Sequence, residues 1–163
     1  MKTVLIAPRK YIQGRNVLSE LGTYAKMLGQ KPLILWDEQV KGIVADTVQA
    51  SMSEAGLEFV DVVFEGEATP EERARVGQIA RENNVDVTIG IGGGKVLDVA
   101  KAAAVDVDTK MVSCPTIASN DSPTSAASVW YDEQGNFTGF DCWPFNPDIV
   151  IVDTQVIVGG PVR

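Results

Sequence analysis

Val87-Thr88-Ile89-Gly90-Ile91-Gly92-Gly93-Gly94-Lys95-Val96-Leu97-Asp98-Val99-Ala100-Lys101 reads as a buried strand, a glycine turn and a helix. The β-branched residues Val87, Ile89 and Ile91 suit a strand covered on both faces. Gly92, Gly93 and Gly94 carry no side chains to hold a ligand away from the backbone. The helix that follows turns its free N–H groups and positive dipole end toward that turn. The arrangement suits an anion, most naturally a phosphate or pyrophosphate. The pattern G-x-G-x-x-G starts correctly at Gly90 and Gly92, but Lys95 takes the place of its last glycine. In G-x-x-x-x-G-K-[ST], Ile89 stands where the first glycine belongs and Val96 where the hydroxyl belongs. Neither pattern is met, and a plain tight turn between strand and helix remains the alternative.

The chain has 163 residues, 45% hydrophobic and 22% charged, which suits one domain of ordinary size with a normal core. Its net charge of −8 argues against nonspecific binding to nucleic acid or to an anionic membrane surface. No apolar run approaches the roughly 20 residues needed to span a bilayer. The start, Met1 to Pro8, is too short for a signal peptide and is expected to form a strand over Val4–Ala7. Cytoplasmic localisation is expected, with Cys114 and Cys142 reduced. Histidine is absent. No triad with a histidine base is possible, and most zinc-site patterns are excluded.

Outward from the glycine turn, strands and helices alternate. Asn16 is expected to cap a helix that runs to Leu28 and ends at Gly29. Lys31–Trp36 reads as a strand ending at Asp37, followed by a helix over Glu38–Ala55 with Gly56 as its stop. Leu57–Phe64 reads as a strand, and Pro70 opens a charged helix that ends near Asn83. Lys110–Cys114 is a further strand. Ser128–Tyr131 and Asn136–Trp143 read as a hairpin turning at Asp132–Gly135, and Pro147–Asp153 as the last strand. Residues 154–163 read as a connection. The alternation implies a Rossmann-like α/β fold, with a parallel sheet covered by helices on both faces and a β-hairpin added. Ligands in such sheets bind beyond the carboxyl ends of the strands. Asp37, the glycine turn and the segment after Cys114 all lie there.

Several motifs together resemble the glycerol dehydrogenases of the iron-containing alcohol dehydrogenase family. They are Pro8-Arg9-Lys10-Tyr11-Ile12-Gln13-Gly14, Gly92-Gly93-Gly94-Lys95 with Asp98 and Lys101, and Pro115-Thr116-Ile117-Ala118-Ser119. Asp121, Pro123-Thr124-Ser125-Ala126, Asn146-Pro147-Asp148 and Val152-Asp153-Thr154 complete the set. The resemblance covers the whole chain. It implies a dehydroquinate synthase-like N-terminal domain over residues 1–163 that binds NAD. It also implies a separate C-terminal helical domain, absent from this chain, that holds zinc through one aspartate and two histidines. By the same resemblance the complete enzyme oxidises glycerol to dihydroxyacetone. A homo-oligomer is expected separately, because the face that would contact the helical domain should be apolar and uncovered, and such patches usually find partners. Asn120 and Ser122 depart from the family's Ser-Thr-Asp-Ala-Pro segment, and Phe140–Phe145 departs from its tyrosine-rich stretch.

The residues then take expected roles. Asp37 is either the cap of the following helix or the acceptor of both adenosine ribose hydroxyls, which would favour NAD over NADP. Gly93, Gly94 and Lys95 would hold the pyrophosphate. Thr116, Ser119, Ser125, Ala127 and Tyr131 match positions lining the cofactor cleft. Asp121 matches a substrate-contacting position, with a turn-forming Asx role as its alternative. Asp98 is expected to pair with Lys95 one turn away, and Lys101 to be solvated. Trp130, Trp143 and Phe145 are expected in packing or at an interface. Cys114 is expected to be an inert buried thiol. The competing readings of the whole are a truncated, non-catalytic nucleotide-binding module and a phosphate-ligand enzyme on the related dehydroquinate synthase fold.

Overall fold

The structure, a computed structural model, describes residues 2, 3 and 5–160. Its centre is a six-stranded parallel sheet. In chain order the strands are β1 (Lys10–Gly14), β2 (Pro32–Trp36), β3 (Val60–Val63), β4 (Val87–Gly92), β5 (Lys110–Pro115) and β8 (Ile149–Asp153). They lie side by side in the order β1-β8-β5-β4-β2-β3. A separate antiparallel hairpin joins β6 (Ala127–Tyr131) to β7 (Phe137–Cys142). The helices are α1 (Leu21–Lys26), α2 (Glu38–Glu54), α3 (Pro70–Glu82), α4 (Gly94–Val107) and α5 (Thr154–Val158).

Strand periodicity divides the core into two layers. Along β2, Ile34 and Trp36 join a cluster with Leu21, Val48 and Met52 from α1 and α2. Leu33 and Leu35 point to the opposite face and join Val76, Ala80, Val99 and Ala103 from α3 and α4. Both layers are dry, which is why β2 and β4 are buried along their whole length. The hairpin extends the second layer through Trp130. Arg73 lies over both the Trp130 and Trp143 rings and pairs with Asp106 and Asp141, holding the hairpin against α3 and α4. Trp130 and Trp143 thus serve packing, whereas Phe145 is 80% exposed.

Three expectations about the chain's course need correction. Val4 lies outside the described residues, and Leu5, Ile6 and Ala7 are not in a strand. The edge of the sheet is formed instead by β1, whose side chains are mostly exposed and show no apolar alternation. Its register comes from pairing with β8, a long-range contact that local patterning does not encode. Asn16 makes no side-chain cap. It sits at φ 61° and leads into a 3-10 turn, Val17–Glu20, before the short α1. The last segment, expected as a connection, forms α5 with Asp153 as its cap.

At Gly22, α1 packs closely on the end of α2. A Cβ built there would lie 2.7 Å from the Ser51 carbonyl carbon in α2 and 3.0 Å from the Ala55 Cβ. The Ser51 contact is with backbone, which gives little room to relax. Gly22→Ala is therefore expected to lower stability by about 2 kcal/mol, against the usual helix preference for alanine. Urea unfolding with an unchanged slope and an unshifted midpoint would contradict this.

Candidate functional site

Each element of the site begins where a strand ends. β2 ends at Trp36, and Asp37 caps α2 by accepting from the Gln39 amide (2.8 Å) and the Val40 amide (3.2 Å). Both bonds use Oδ1, and Oδ2 makes none among the described residues. The two roles weighed for Asp37 therefore do not compete: one oxygen caps the helix and the other remains for a ligand.

β4 ends at Gly92, and Gly93 precedes α4 in extended backbone with no side-chain cap. By contrast, α2, α3 and α5 are each capped by a side chain, from Asp37, Thr69 and Asp153. The first amides of α4 are thus left for solvent or a ligand. A Cβ at Gly93 would meet only the Ile117 side chain, at 3.7 Å. Gly90 has a different reason to be glycine. A Cβ there would lie 2.9 Å from the Ala100 Cβ, so it lets α4 pack closely on the sheet.

β5 ends at Pro115, and the Thr116 amide donates to the Gly92 carbonyl at 3.1 Å. The loop from Ser119 to Ala126 then runs along the first two turns of α4. Asn120 Oδ1 accepts from the Ser122 amide at 3.1 Å, making the Asx-type turn. The Asp121 backbone carbonyl accepts from the Thr124 and Ser125 amides. The turn role weighed for the Asp121 carboxylate is therefore filled by its neighbour and by backbone. That carboxylate is exposed and makes no hydrogen bond among the described residues.

Two cavities open along this edge, of about 720 Å³ and about 610 Å³. Asp37, Gly93 and Ile117 line both and form their shared wall. Thr116 lines the first. Gly94, Lys95, Ser119, Asp121, Ser125, Ala127 and Tyr131 line the second. Every residue expected from the sequence to touch cofactor or substrate therefore lies on one continuous surface.

Lys95 and Asp98 do not pair as expected. Lys95 is half exposed, forms an ion pair with Glu67 and sits 5.1 Å from the centre of the Tyr131 ring. Asp98 pairs with Lys101 at 2.9 Å, and both are buried. Lys101 is not solvated; it is 3% exposed. Its ammonium is pulled below the ordinary lysine range by burial, against the opposing charges of Asp98 and Asp121. The i, i+3 spacing allowed either partner for Asp98, and burial of this helix face against the loop decided between them. Glu67, 28 residues before Lys95 in the chain, gave no local signal. Cys114 is buried, and its thiol is pushed well above the usual range by desolvation.

The residues present do not fit a resident metal ion. The sequence has no histidine, and the described residues bring together no group of three His, Cys, Asp or Glu side chains. No helix among the described residues is long and apolar enough to cross a membrane.

Comparison with known proteins agrees with this architecture. The chain is 45% identical over 163 residues to glycolaldehyde reductase of Halobacterium salinarum, and 41% identical over 163 residues to glycerol dehydrogenase of Pseudomonas putida. These alignments cover all of this chain but 45% of each relative, so the chain spans about half the length of the relatives it matches. The crystal structure of glycerol dehydrogenase from Schizosaccharomyces pombe superposes with a TM-score of 0.91 at 35% identity, covering 99% of this chain and 41% of that one. With the fold and the glycine turn in place, and with residues 8–154 matching the family described as iron-containing alcohol dehydrogenase, the chain belongs to that family.

Proposed function

We propose that this chain supplies the NAD-binding domain of a dehydrogenase acting on a small hydroxylated substrate, with glycerol as the leading candidate. The observation that carries this reading is the uncapped start of α4 at Gly93, placed in one surface with Asp37, Lys95 and Asp121. That surface offers an acceptor for ribose, amides and a lysine for pyrophosphate, and small hydroxyl residues for a flat amide-bearing ring. The names of the relatives, glycerol dehydrogenase and glycolaldehyde reductase, support a small polyol or hydroxyaldehyde as substrate.

A bound NAD would supply the acceptor for the hydride that leaves the carbinol carbon as the hydroxyl proton passes to solvent. The chain's own residues position. Asp37 Oδ2 accepts ribose hydroxyls and would repel a 2′-phosphate. The amides of Gly94 and Lys95 face the pyrophosphate, and Lys95 exchanges Glu67 for it. Ser119 and Ser125 present hydroxyls to the carboxamide, and the Asp121 carboxylate accepts a substrate hydroxyl. We further propose that the metal chemistry of the family is performed by residues outside this sequence, and that the protein acts as a homo-oligomer in the cytoplasm.

Titration calorimetry with NADH and NADPH tests the cofactor reading. NADH is expected to bind at least about 10-fold tighter, roughly 1.4 kcal/mol. Asp37→Asn keeps the helix cap, since asparagine caps as well as aspartate. It is expected to weaken NADH binding while leaving the unfolding midpoint nearly unchanged. Equal affinity for NADPH, or full NADH affinity in Asp37→Asn, would count against the ribose role. A separate assay follows NADH formation from glycerol at alkaline pH across zinc concentrations. The 163-residue chain is expected to give none, because it has no histidine and its described residues bring together no cluster of His, Cys, Asp or Glu to hold the Lewis acid that would stabilise the alkoxide. Zinc-dependent turnover by the pure chain would overturn that expectation.

A further inference from the structure

A buried pair of charges ties the loop of the second cavity to α4. Asp98 and Lys101 lie one turn apart on the helix, 6% and 3% exposed. Lys101 Nζ donates to the carbonyl oxygens of Ser122 (2.9 Å) and Ala127 and to Ser125 Oγ (3.2 Å). Asp98 accepts from Ser122 Oγ at 2.6 Å and from the Val129 amide at 3.0 Å. The Asp98 carbonyl oxygen also accepts from Ser128 Oγ at 2.7 Å. The pair therefore grips the middle of the loop, its end and the start of β6.

Stability does not account for this arrangement. Taking two charges out of water costs several kcal/mol per ion, and well-packed apolar side chains often serve stability as well or better. An apolar contact, however, tolerates sliding. An ammonium whose three N–H donors are shared among Asp98, Ser122, Ser125 and Ala127 does not. The same helix begins at the Gly93–Lys95 turn, about 10 Å away along its axis at 1.5 Å per residue. One rigid element thus carries both the proposed pyrophosphate anchor and the loop bearing Ser119, Asp121 and Ser125.

We propose that Asp98 and Lys101 are positioning residues for the nicotinamide half of the site. They hold the Ser119–Ala126 loop and the start of β6 at a fixed distance from the Gly93–Lys95 turn, so that a dinucleotide anchored at the turn meets the loop's hydroxyls. The inference rests on the dinucleotide reading above. It assigns no direct ligand contact to either residue, and it separates the two halves of the ligand energetically. The adenosine and pyrophosphate half depends on Asp37 and the turn. The nicotinamide half depends on the clamp.

The test compares the full chain with Lys101→Met and with the double variant Lys101→Met/Asp98→Asn. The double variant removes the unpaired buried carboxylate that Lys101→Met alone would leave. ADP-ribose, which lacks nicotinamide, and NADH are titrated by calorimetry, and NADH fluorescence reports burial of the ring. In both variants ADP-ribose is expected to bind within about 3-fold of the parent, and NADH at least about 10-fold more weakly, a difference near 0.7 kcal/mol or more between the ligands. The fluorescence change on binding is expected to be lost. Equal fold-losses for the two ligands would show a general structural defect and overturn the proposal, as would unchanged NADH binding. NADH affinity restored in the double variant would also overturn it, by tracing the defect to the stranded charge. If the parent chain binds neither ligand, the dinucleotide reading fails first and the clamp with it.

Discussion

Replacing Gly93 with valine is expected to lower NADH affinity by at least about 100-fold, close to 3 kcal/mol, with little loss of fold. Gly93 has φ −79° and ψ −179°, extended backbone that valine adopts readily. A Cβ there meets only Ile117 at 3.7 Å, so the core is not disturbed. The cost to stability is about 1 kcal/mol, because valine is a poor residue at a helix N-cap. The cost to binding is much larger. Gly93 lines both cavities, and a branched side chain there would occupy the approach to the first amides of α4. A phosphate kept beyond hydrogen-bond distance loses charge-favoured bonds worth more than neutral ones. Calorimetry paired with thermal unfolding separates the effects. Near-parental NADH affinity in a folded Gly93→Val chain would show that the ligand does not sit on this turn.

Asp153→Ala is expected to be the most destabilising single change at the site's border. Asp153 is 5% exposed and ends β8. Its Oδ1 accepts from the amides of Asn16 and Gln155, and its Oδ2 from the amide of Leu18. One carboxylate thereby caps both the 3-10 turn after β1 and the start of α5. Truncation leaves these amides without a partner, at a cost of about 3–5 kcal/mol in total. For a chain of this size that corresponds to a fall in Tm of roughly 10 °C. Asp153→Asn retains some acceptor capacity and is expected to lose about half as much. A fall of less than about 1 kcal/mol in Asp153→Ala would mean that the amides find other partners.

Much of the candidate site was legible because its signals are local. Glycines between a β-branched strand and a helix require a close backbone turn, whatever surrounds them. Asp37 before Glu38 announces a helix cap, and the structure shows the cap bond. The hairpin was legible from Asp132–Gly135, where Asp132 accepts from the Gln134 and Asn136 amides. The resemblance carried the residues that local physics leaves undecided, Thr116, Ser119, Asp121, Ser125, Ala127 and Tyr131. The structure brings them to the same surface as the turn.

The amino-acid sequence by itself determined the alternation of strands and helices, the parallel class of the sheet and the close glycine turn between β4 and α4, because periodicity, capping and backbone freedom act over a few residues. Tertiary structure alone decided which charges meet. Lys95 lies within pairing distance of Asp98 along the helix, yet Asp98 turns to Lys101 and Lys95 to Glu67. Asn16 was well placed to cap a helix, yet Asp153 supplies the acceptor from the far end of the chain. β1 forms where an edge position beside β8 is open, and not in the apolar run before it. Each outcome depends on desolvation and on long-range pairing, and both are set by elements distant in sequence.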